Sequence, residues 1–338
     1  MPITRRTSSV TETLDVMGDY WMLRLLGRFF IGASAWGDFA DGLGVSPTTL
    51  SKRLTQLMEA GCVTKTTAAG GARYQLTPKG LELFPIIASL DEWRLRWDDA
   101  DGAGRSPWTH DCGAPLRCKS LCACCGLDVR LSDVTHIVTE HAREARPARP
   151  RHFRNVQATV VSREGGIEAP SRVLQVMGDR RASIVVAALN RGLGRFDEIL
   201  EFTGLHPATL SERLRKLQLL DLANERLYQE APDRYFYGLS DAARDIFPTT
   251  MQQMQWGDRW IFGDGHEPVH IVHNPCGKRL RSELRCKGCD REVHLHDLKV
   301  SAPGLEPLIP APIPDAAQRP NPEHSAQGAR PDPRLRPH

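Results

Sequence analysis

Two short stretches of this sequence carry cysteine and histidine side chains of the types and spacing that bind a transition metal. Eight of the nine cysteines lie at residues 112–125 and 276–289, and each group has a Cys-x-x-Cys pair and a nearby histidine. In the second stretch, a His-x-x-Cys turn and a Cys-x-x-Cys turn offer four nitrogen and sulfur donors, which close a tetrahedron around Zn²⁺ without an open position. These residues therefore indicate structural metal binding rather than catalysis.

The expected ligands divide into one set for each stretch. The first set is His110, Cys112, Cys122 and Cys125, and the second set is His273, Cys276, Cys286 and Cys289. In the first stretch the histidine precedes its cysteine by two residues instead of three, so Cys118 and Cys124 stay open as substitutes for the fourth ligand. Alternatives are ligation by His270, His294 or His296, which is weaker, reduced thiols, or a disulfide formed under oxidation. A chain without an export signal favours metal over disulfides.

A second kind of chemistry, contact with nucleic acid, is indicated by two matching stretches at residues 46–61 and 206–221. Leucines recur at i, i+4 and i+7 in both, so one face of each predicted helix is buried and the other is free. The free face has small hydroxyls near the helix start and Lys or Arg beyond them, which suits base edges and phosphates respectively. The DNA-contact candidates are Thr48, Thr49, Ser51, Lys52 and Arg53 in the first stretch and His206, Thr209, Ser211 and Arg213 in the second.

Some of these candidates have a structural alternative. An ordinary amphipathic helix with a solvated face has the same pattern, and Arg53 and Arg213 can instead pair internally with a supporting helix. In the second stretch Glu212 replaces Lys52, and a carboxylate facing phosphate is unfavourable unless it accepts from a cytosine amino group. The second stretch is therefore the poorer DNA binder.

Both kinds of site recur because the chain contains an internal duplication. Val-Met-Gly-Asp at residues 16–19 returns at residues 176–179, an offset of 160 that also holds for the two matching stretches. The offset becomes 163 where Phe-Pro returns at residue 247, and it reaches 164 at the cysteines. Tryptophans at i and i+4 recur as well, and we expect them to pack a core or a helix interface. These pairs are Trp93 with Trp97 and Trp256 with Trp260.

Each copy builds its sites from the same order of elements. In the first copy, the apolar spacing predicts helices at about residues 9–17, 20–31 and 35–42, then the matching stretch, a hairpin at 63–76 and a long helix at 77–98. Three helices followed by a hairpin is the order of a winged helix-turn-helix, in which the hairpin is the wing. Arg73 in the first wing, and Arg234 in the second wing at about residues 222–239, are expected to reach phosphate unless they stay solvated.

The predicted fold is mainly α with small β-wings, and consists of two winged helix-turn-helix domains, each followed by a small zinc-ribbon-like module. The expected boundaries are an N-terminal tail at residues 1–9, the first winged domain at 10–99, its module at 108–135, a linker at 136–169, the second winged domain at 170–262, its module at 268–300, and a tail at 301–338. A Pro/Arg segment is typical of a semi-extended linker, and a Pro-rich tail with few apolar residues is typical of disorder.

Several motifs carry a resemblance that adds to this interpretation. They are Met-Gly-Asp-Tyr-Trp at the start of the second helix, Leu-Ser-Lys-Arg-Leu in the matching stretch, Met-Glu-Ala-Gly after it, Tyr-Gln-Leu-Thr-Pro-Lys-Gly leaving the wing, and the terminal Trp. Together they resemble the HxlR-type winged helix transcription regulators over about residues 10–99 and, more weakly, 170–262. The resemblance implies a DNA-binding regulator, usually a homodimer, with its recognition helix in the major groove.

Two departures from that family pattern stand out. Ser8-Ser9-Val10 occupies the place where many members carry a sensing cysteine, so thiol sensing is not expected there. Arg180-Arg181 stands in the second copy where the first has Tyr20-Trp21, so the second copy has diverged.

Composition limits the function further. The 338 residues are 41% hydrophobic with a net charge of +3 and a pI near 8.4, which permits DNA binding but is below the pI above ~9 of strongly basic domains. The absence of an apolar run of roughly 18–20 residues and of a secretory signal predicts a soluble, cytoplasmic, nucleoid-associated protein without a membrane partner. None of the common enzyme motifs occurs, so we expect no enzyme. Cys62 is expected to be a small buried hydrophobe.

These observations together predict a sequence-specific transcriptional regulator, a repressor that occupies double-stranded DNA through two tandem heads. The heads form an intramolecular pseudo-dimer or belong to a homodimer, and Zn²⁺ is the expected structural cofactor. One alternative is a protein-interaction adaptor with a vestigial DNA face. Another is a zinc or thiol redox sensor that controls DNA binding. The sequence indicates no operator and no small-molecule effector.

Overall fold

A computed structural model describes residues 8–68, 71–98, 105–143 and 171–300, which all fall within one compact unit. The Pro/Arg part of the predicted linker, the tip of the first hairpin and the Pro-rich tail lie outside the described residues. In the described ranges, no helix is long and apolar enough to cross a membrane.

The order of elements follows the duplication, with helices and then a hairpin in each copy. The first repeat, residues 8–143, contains α1 Ser9–Met17, α2 Tyr20–Phe29, α3 Trp36–Leu43, α4 Pro47–Glu59, β1 Val63–Ala68, β2 Gly71–Leu76, α5 Pro78–Leu81 and α6 Phe84–Trp97. The second repeat, residues 171–300, contains α7 Arg172–Met177, α8 Arg180–Leu189, α9 Phe196–Thr203, α10 Pro207–Leu219, β6 Ala223–Glu230, β7 Asp233–Leu239, α11 Asp241–Arg244 and α12 Phe247–Gly257. The two strands of each wing pair antiparallel.

Helix α4 forms where it does because its start and one of its faces are specified by the sequence. Ser46 accepts a hydrogen bond from the backbone N–H of Thr49 at 3.3 Å, and Pro47 occupies the first turn. Its three leucines are buried in the hydrophobic core. In α10, His206 takes the place of the serine and accepts from the N–H of Ala208 at 3.3 Å. The predicted amphipathic helices are therefore present in both repeats.

The long helix predicted at residues 77–98 is in fact two helices. Helix α5 ends at Leu81 and α6 begins at Phe84, with Pro85 in the first turn of α6. A proline is tolerated there because a first-turn N–H has no helical partner, whereas inside a helix the ring would clash with the preceding turn. Phe247-Pro248 begins α12 in the same way.

The two repeats pack against each other through reciprocal contacts. Helix α1 lies against α12, α7 lies against α6, and α6 packs on α12. Trp93 Nε1–H donates to the Ala242 carbonyl at 2.7 Å, and Trp256 Nε1–H donates to the Lys79 carbonyl at 3.0 Å. These contacts confirm the expected packing role of the tryptophans. Equivalent residues making equivalent contacts in both directions are the mark of an approximately two-fold interface.

The approximate two-fold axis passes close to Asp19 and Asp179, which are equivalent residues joined by an antiparallel bridge. The backbones approach closely here, since a Cβ added at Gly178 would lie 2.6 Å from Tyr20 Cα. No side chain fits at that distance, so the glycine is required. The contact between repeats thus explains the glycine of the second Met-Gly-Asp motif, whereas a Cβ at Gly18 would clash with the Leu14 carbonyl oxygen of its own helix.

The segments that follow the two wings are interleaved. They contain β3 Trp108–His110, β4 Cys118–Cys122 and β5 Val134–Val138 in the first repeat, and β8 Val269–His273, β9 Lys278–Arg279, β10 Ser282–Cys286 and β11 Leu298–Val300 in the second. Strand β4 pairs with β10, β5 with β8 and β3 with β11, so each pair joins the two repeats. The expectation of a separate zinc-ribbon-like module in each repeat is therefore wrong, because each segment satisfies the other's backbone hydrogen bonds.

Candidate nucleic-acid interface and metal clusters

The free face of α4 presents small hydroxyls and one cation to solvent. Thr48, Ser51 and Lys52 are exposed, whereas Thr49 is half-buried and its hydroxyl lies 2.9 Å from the Ser46 hydroxyl within the helix cap. An exposed helix start with a lysine on the next turn suits base edges near the start and a phosphate beside the lysine. The first repeat thus keeps the candidate surface that its sequence predicts.

Arg53 does not belong to this surface, although the sequence made it a DNA candidate. It is only 7% exposed, and its Nε and Nη2 donate to the two carboxylate oxygens of Asp19 at 2.9 and 2.6 Å. The physical reason is that Asp19, which caps α2 next to the approximate two-fold axis, is itself buried and needs a countercharge. Arg53 therefore connects helix α4 to the interface between the repeats.

Arg213 is a second correction of the same kind. Its side chain is 2% exposed, with Nε 2.9 Å from Asp179 Oδ2 and Nη1 2.7 Å from Glu212 Oε1. Lys216 Nζ also lies 3.2 Å from Asp179 Oδ2, so this buried carboxylate has two cationic partners. Neither buried arginine is available to a phosphate.

Helix α10, the equivalent of α4 in the second repeat, presents a different set of exposed groups. His206 and Ser211 are exposed and Thr209 is half-buried, as in the first repeat. Arg215, which the sequence reasoning missed, is also exposed. It lies three residues after Glu212 and so shares its face of the helix, which is the signal that would have identified it. The carboxylate of Glu212 thus lies beside Arg213, and the exposed Arg215 places a positive charge on the same face of α10 one turn later.

The wing arginines are both at the surface. Arg73 is exposed on β2, where its Nη1 lies 3.0 Å from Ser34 Oγ and its backbone bridges to Ala35. Arg234 is exposed at the start of β7, the returning strand of the longer second wing. Their placement leaves both side chains accessible to a phosphate backbone.

The metal-ligand candidates form two clusters, and each cluster takes residues from both repeats. Cluster 1 is His110, Cys112, Cys286 and Cys289, and cluster 2 is Cys122, Cys125, His273 and Cys276, with the four donor atoms of each lying within 4.8 Å of one another. All eight predicted ligands are used, but the predicted sets are wrong because the second Cys-x-x-Cys turn has been exchanged between repeats. The pairing of β4 with β10 causes this exchange, since it places each such turn beside the other repeat's His-Cys turn.

The distances within the clusters match a tetrahedral metal site. His273 Nδ1 lies 3.3 Å from Cys125 Sγ and 3.5 Å from Cys276 Sγ. In cluster 1, His110 Nδ1 lies 3.5 Å from Cys289 Sγ, and the Cys112 and Cys286 sulfurs are 4.0 Å apart. Bond lengths of about 2.3 Å for Zn–S and about 2.0–2.1 Å for Zn–N give tetrahedron edges of about 3.8 Å between sulfurs and about 3.6 Å between sulfur and nitrogen.

The thiols of these clusters are free. All nine cysteines are unpaired in this structure. A backbone N–H from Lys278, followed by His273, lowers the pKa of Cys276 to about 6, and a backbone N–H from Arg291 lowers the pKa of Cys289. Burial raises the pKa of Cys286. The low pKa of Cys276 favours its thiolate, which is the form that binds metal.

The other candidate ligands lie outside both clusters. Cys118 is buried in β4, Cys124 is exposed, and His270 lies 3.5 Å from Glu267. The rings of His294 and His296 stack on each other with centroids 5.2 Å apart. Cys62 is fully buried in the hydrophobic core, and burial raises its pKa to about 11, so it is the inert small hydrophobe that its position predicts.

The comparison with known families agrees with this architecture. The HxlR-like helix-turn-helix family matches residues 16–101 and 176–264, which together exceed half of the chain. The chain belongs to the HxlR-like helix-turn-helix family. The predicted resemblance is therefore confirmed, and it holds for both repeats.

Individual HxlR relatives and solved structures are similar to parts of this chain. An uncharacterised HTH-type transcriptional regulator of Mycobacterium tuberculosis strain CDC 1551 is 32% identical over 126 residues, covering 37% of this chain and 80% of the relative. One from Bacillus subtilis strain 168 is 29% identical over 91 residues, covering 27% and 84%. A solved candidate transcription factor from Pseudomonas aeruginosa is 26% identical with a TM-score of 0.29, covering 36% of this chain and 83% of its own.

Both metal clusters lie outside the two HxlR-matched segments. The ligands begin at His110 and His273, beyond residues 101 and 264 where the matched segments end. The interleaved strands and their cysteines are therefore an addition to the HxlR helices and wings.

Proposed function

We propose that the chain is a DNA-binding transcriptional regulator, a repressor that acts by occupying its site, with two winged heads in one polypeptide. The observation that carries the proposal is the exposed hydroxyl and lysine face of α4 on a helix whose opposite side is fixed by buried leucines and by Arg53. A recognition helix held this rigidly can present side chains to base edges in the major groove. Family membership supports the same function.

The reciprocal packing of the repeats supports a two-headed arrangement. A symmetric pair of heads reads two half-sites about 34–36 Å apart, or a multiple of that distance, on one face of DNA. Here the pairing that other regulators obtain from two chains is made between α1 and α12 and between α6 and α7 of one chain. The site that follows from this arrangement is a pseudo-palindrome with unequal halves, because Lys52 in one head is replaced by Glu212 in the other.

We further propose that each metal cluster holds a structural Zn²⁺ ion. Three thiols and one imidazole at tetrahedral spacing form a closed set that leaves no position for a catalytic water. Because each cluster draws ligands from both repeats, the two ions would act as cross-links that fix one head relative to the other. This arrangement also supports a second function, in which loss of metal on thiol oxidation loosens the heads and lowers the affinity for DNA.

The DNA proposal is tested by selecting genomic fragments with the purified full-length protein at near-physiological salt. The variants are Lys52→Glu and Arg215→Glu, and the matched control is Arg130→Glu, a charge reversal at an exposed residue away from both recognition helices. We expect enrichment of a defined two-part site, with each of the first two variants losing its own half and the control unchanged. If no fragment is enriched, or if affinity does not fall as salt rises, an adaptor function replaces this one.

The zinc proposal is tested by counting bound metal in two double cysteine variants. Cys112→Ser with Cys289→Ser damages only cluster 1, so one ion per chain is expected to remain. Cys276→Ser with Cys289→Ser damages both clusters, so none is expected. If each ligand set came from a single repeat, the first variant would bind no ion and the second would bind one. The control Cys124→Ser, at an exposed cysteine outside both clusters, is expected to keep two ions.

A further inference from the structure

A cavity of about 300 Å³ lies between the helices and wing strand β7 of the second repeat on one side and the turn at Leu131–Asp133 of the first repeat on the other. Most of its wall is apolar. The residues that matter to its chemistry are Leu131, Leu189, Asn190, Phe236, Leu239 and Arg244. A volume of this size is at the lower end of the roughly 300–1,000 Å³ found for small-molecule sites.

The first repeat shows why the space exists. Its equivalent position is filled by Phe30, which meets Phe84 edge-on with ring centroids 5.3 Å apart, and Phe84 meets Trp108 in the same way at 5.3 Å. Trp108 Nε1–H also donates to the Phe30 carbonyl at 2.9 Å, which locks the three rings together. The first repeat therefore has an aromatic plug between its winged helices and the interleaved strands.

The second repeat has lost two of those three rings. By the offsets of the duplication, Asn190 stands where the first repeat has Phe30, and Ile271 stands where it has Trp108. The hydrophobic core divides at this place into two clusters, and Leu131 of the cavity wall packs against both. Trp108 and Phe30 belong to one continuous core, whereas Ile271 belongs to a separate cluster that does not include Leu189 or Leu239. Proteins close-pack their interiors, so a gap between two cores that the sister repeat fills needs an explanation.

Two polar groups make the cavity more than a packing defect. Asn190 is only 9% exposed, and its Oδ1 has no hydrogen-bond partner among the residues that the structure describes. A buried acceptor without a donor is costly, and native structures rarely keep one without a reason. Arg244, at the position of Leu81 in the first repeat, brings a guanidinium to the same cavity with 61% of its side chain exposed.

We propose that this cavity binds a small organic acid with an apolar, ring-sized body and a hydroxyl or amino donor. The carboxylate pairs with Arg244 at the mouth, the body fills the space of the missing rings, and the donor satisfies Asn190 Oδ1. Because the cavity joins the second head to the turn that leads into β5, the strand that pairs with the His273-bearing β8, an occupant that prefers one placement of the head would shift its DNA affinity. Only this last consequence rests on the proposed function.

The experiment screens full-length protein by ligand-observed NMR against hydroxyphenylalkanoic acids, each with its matched alcohol as a neutral partner. We expect an acid to bind the wild type. Arg244→Leu, which copies Leu81, should weaken the acid about tenfold or more and leave the alcohol unchanged. Asn190→Phe, which copies Phe30, should abolish binding of both. Arg105→Leu, at an exposed arginine elsewhere, is the control.

Two results would overturn the proposal. One is that no acid in the set binds the wild type, and the other is that an acid binds Arg244→Leu as tightly as its parent. The second comparison does not depend on Asn190→Phe, so it stands even if that variant folds poorly. Adding the acid to a DNA-binding titration separates the two functions, since the NMR result holds whether or not the protein binds DNA.

Discussion

Replacing Arg53 by alanine should destabilise the protein far more than a surface substitution does. The arginine makes two short charge-assisted hydrogen bonds to Asp19, at 2.9 and 2.6 Å, and the two side chains are 9% and 7% exposed. Removing one partner of such a pair leaves an unpaired buried carboxylate, which costs about 3–5 kcal/mol. That cost equals roughly two to more than three powers of ten in the folding equilibrium.

The neighbouring residues provide the internal comparison. Lys52→Ala, one residue earlier on the exposed face, should change the free energy of unfolding by no more than about 0.5 kcal/mol. Arg213→Ala should cost less than Arg53→Ala because Lys216 Nζ stays 3.2 Å from Asp179. Asp19→Asn combined with Arg53→Met should cost less than Arg53→Ala alone, since it removes both charges and keeps an Asn cap on α2.

The assay is urea unfolding followed by tryptophan fluorescence, with DNA affinity measured separately under conditions where each variant is folded. We expect Arg53→Ala to shift the unfolding midpoint strongly and Lys52→Ala to lower DNA affinity without shifting it. The reasoning is refuted if Arg53→Ala leaves the midpoint within error and abolishes DNA binding, because the arginine would then contact DNA rather than Asp19.

Four further substitutions test other contacts. Gly178→Ala should be strongly destabilising because its Cβ would lie 2.6 Å from Tyr20 Cα. Gly27→Ala, whose Cβ would have no atom within 4 Å, should instead stabilise α2 by up to about 1 kcal/mol. Thermal melting of both variants tests this difference. Trp93→Phe should cost about 1–3 kcal/mol by leaving the Ala242 carbonyl without its donor, measured by urea unfolding. Burial, and then the positive charge of Arg191, lower the pKa of His136 to about 4, so between pH 6.5 and 4 this residue gains a proton only in the unfolded chain. The free energy of unfolding should therefore fall as the pH is lowered across that window, and His136→Leu should flatten the fall.

The sequence predicts the helices and wings well because their signals are local. Caps, the leucine spacing and the glycine exits lie within a few residues of the elements that they define. The exchanged metal ligands could not be predicted, since the spacing of Cys286 and Cys289 is the same whichever repeat provides their partners. That choice depends on β4 pairing with β10, a contact between residues more than 150 positions apart in the chain.

The duplication does contain a signal for the buried ion pairs. Asp19 with Arg53 recurs as Asp179 with Arg213 at the same offset of 160, whereas Lys52 on the same helix becomes Glu212. Within one chain, both repeats must keep residues that hold the same fold, but each repeat is free to change residues that face a ligand. On that criterion the arginines are structural and Lys52 is a candidate contact residue, and the structure agrees in burying both arginines and leaving Lys52 exposed.

The same criterion separates the roles of the two heads. The first repeat keeps the lysine on its recognition helix and fills its interior with Phe30 and Trp108. The second has an acidic residue on its recognition helix and opens the equivalent interior at Asn190. A homodimer cannot divide labour in this way, because any change that opens a cavity in one head opens it in the other. Under the functions proposed above, joining the repeats in one chain, with clusters that would hold them in register on binding metal, would let one head specialise in reading DNA while the other responds to a small acid.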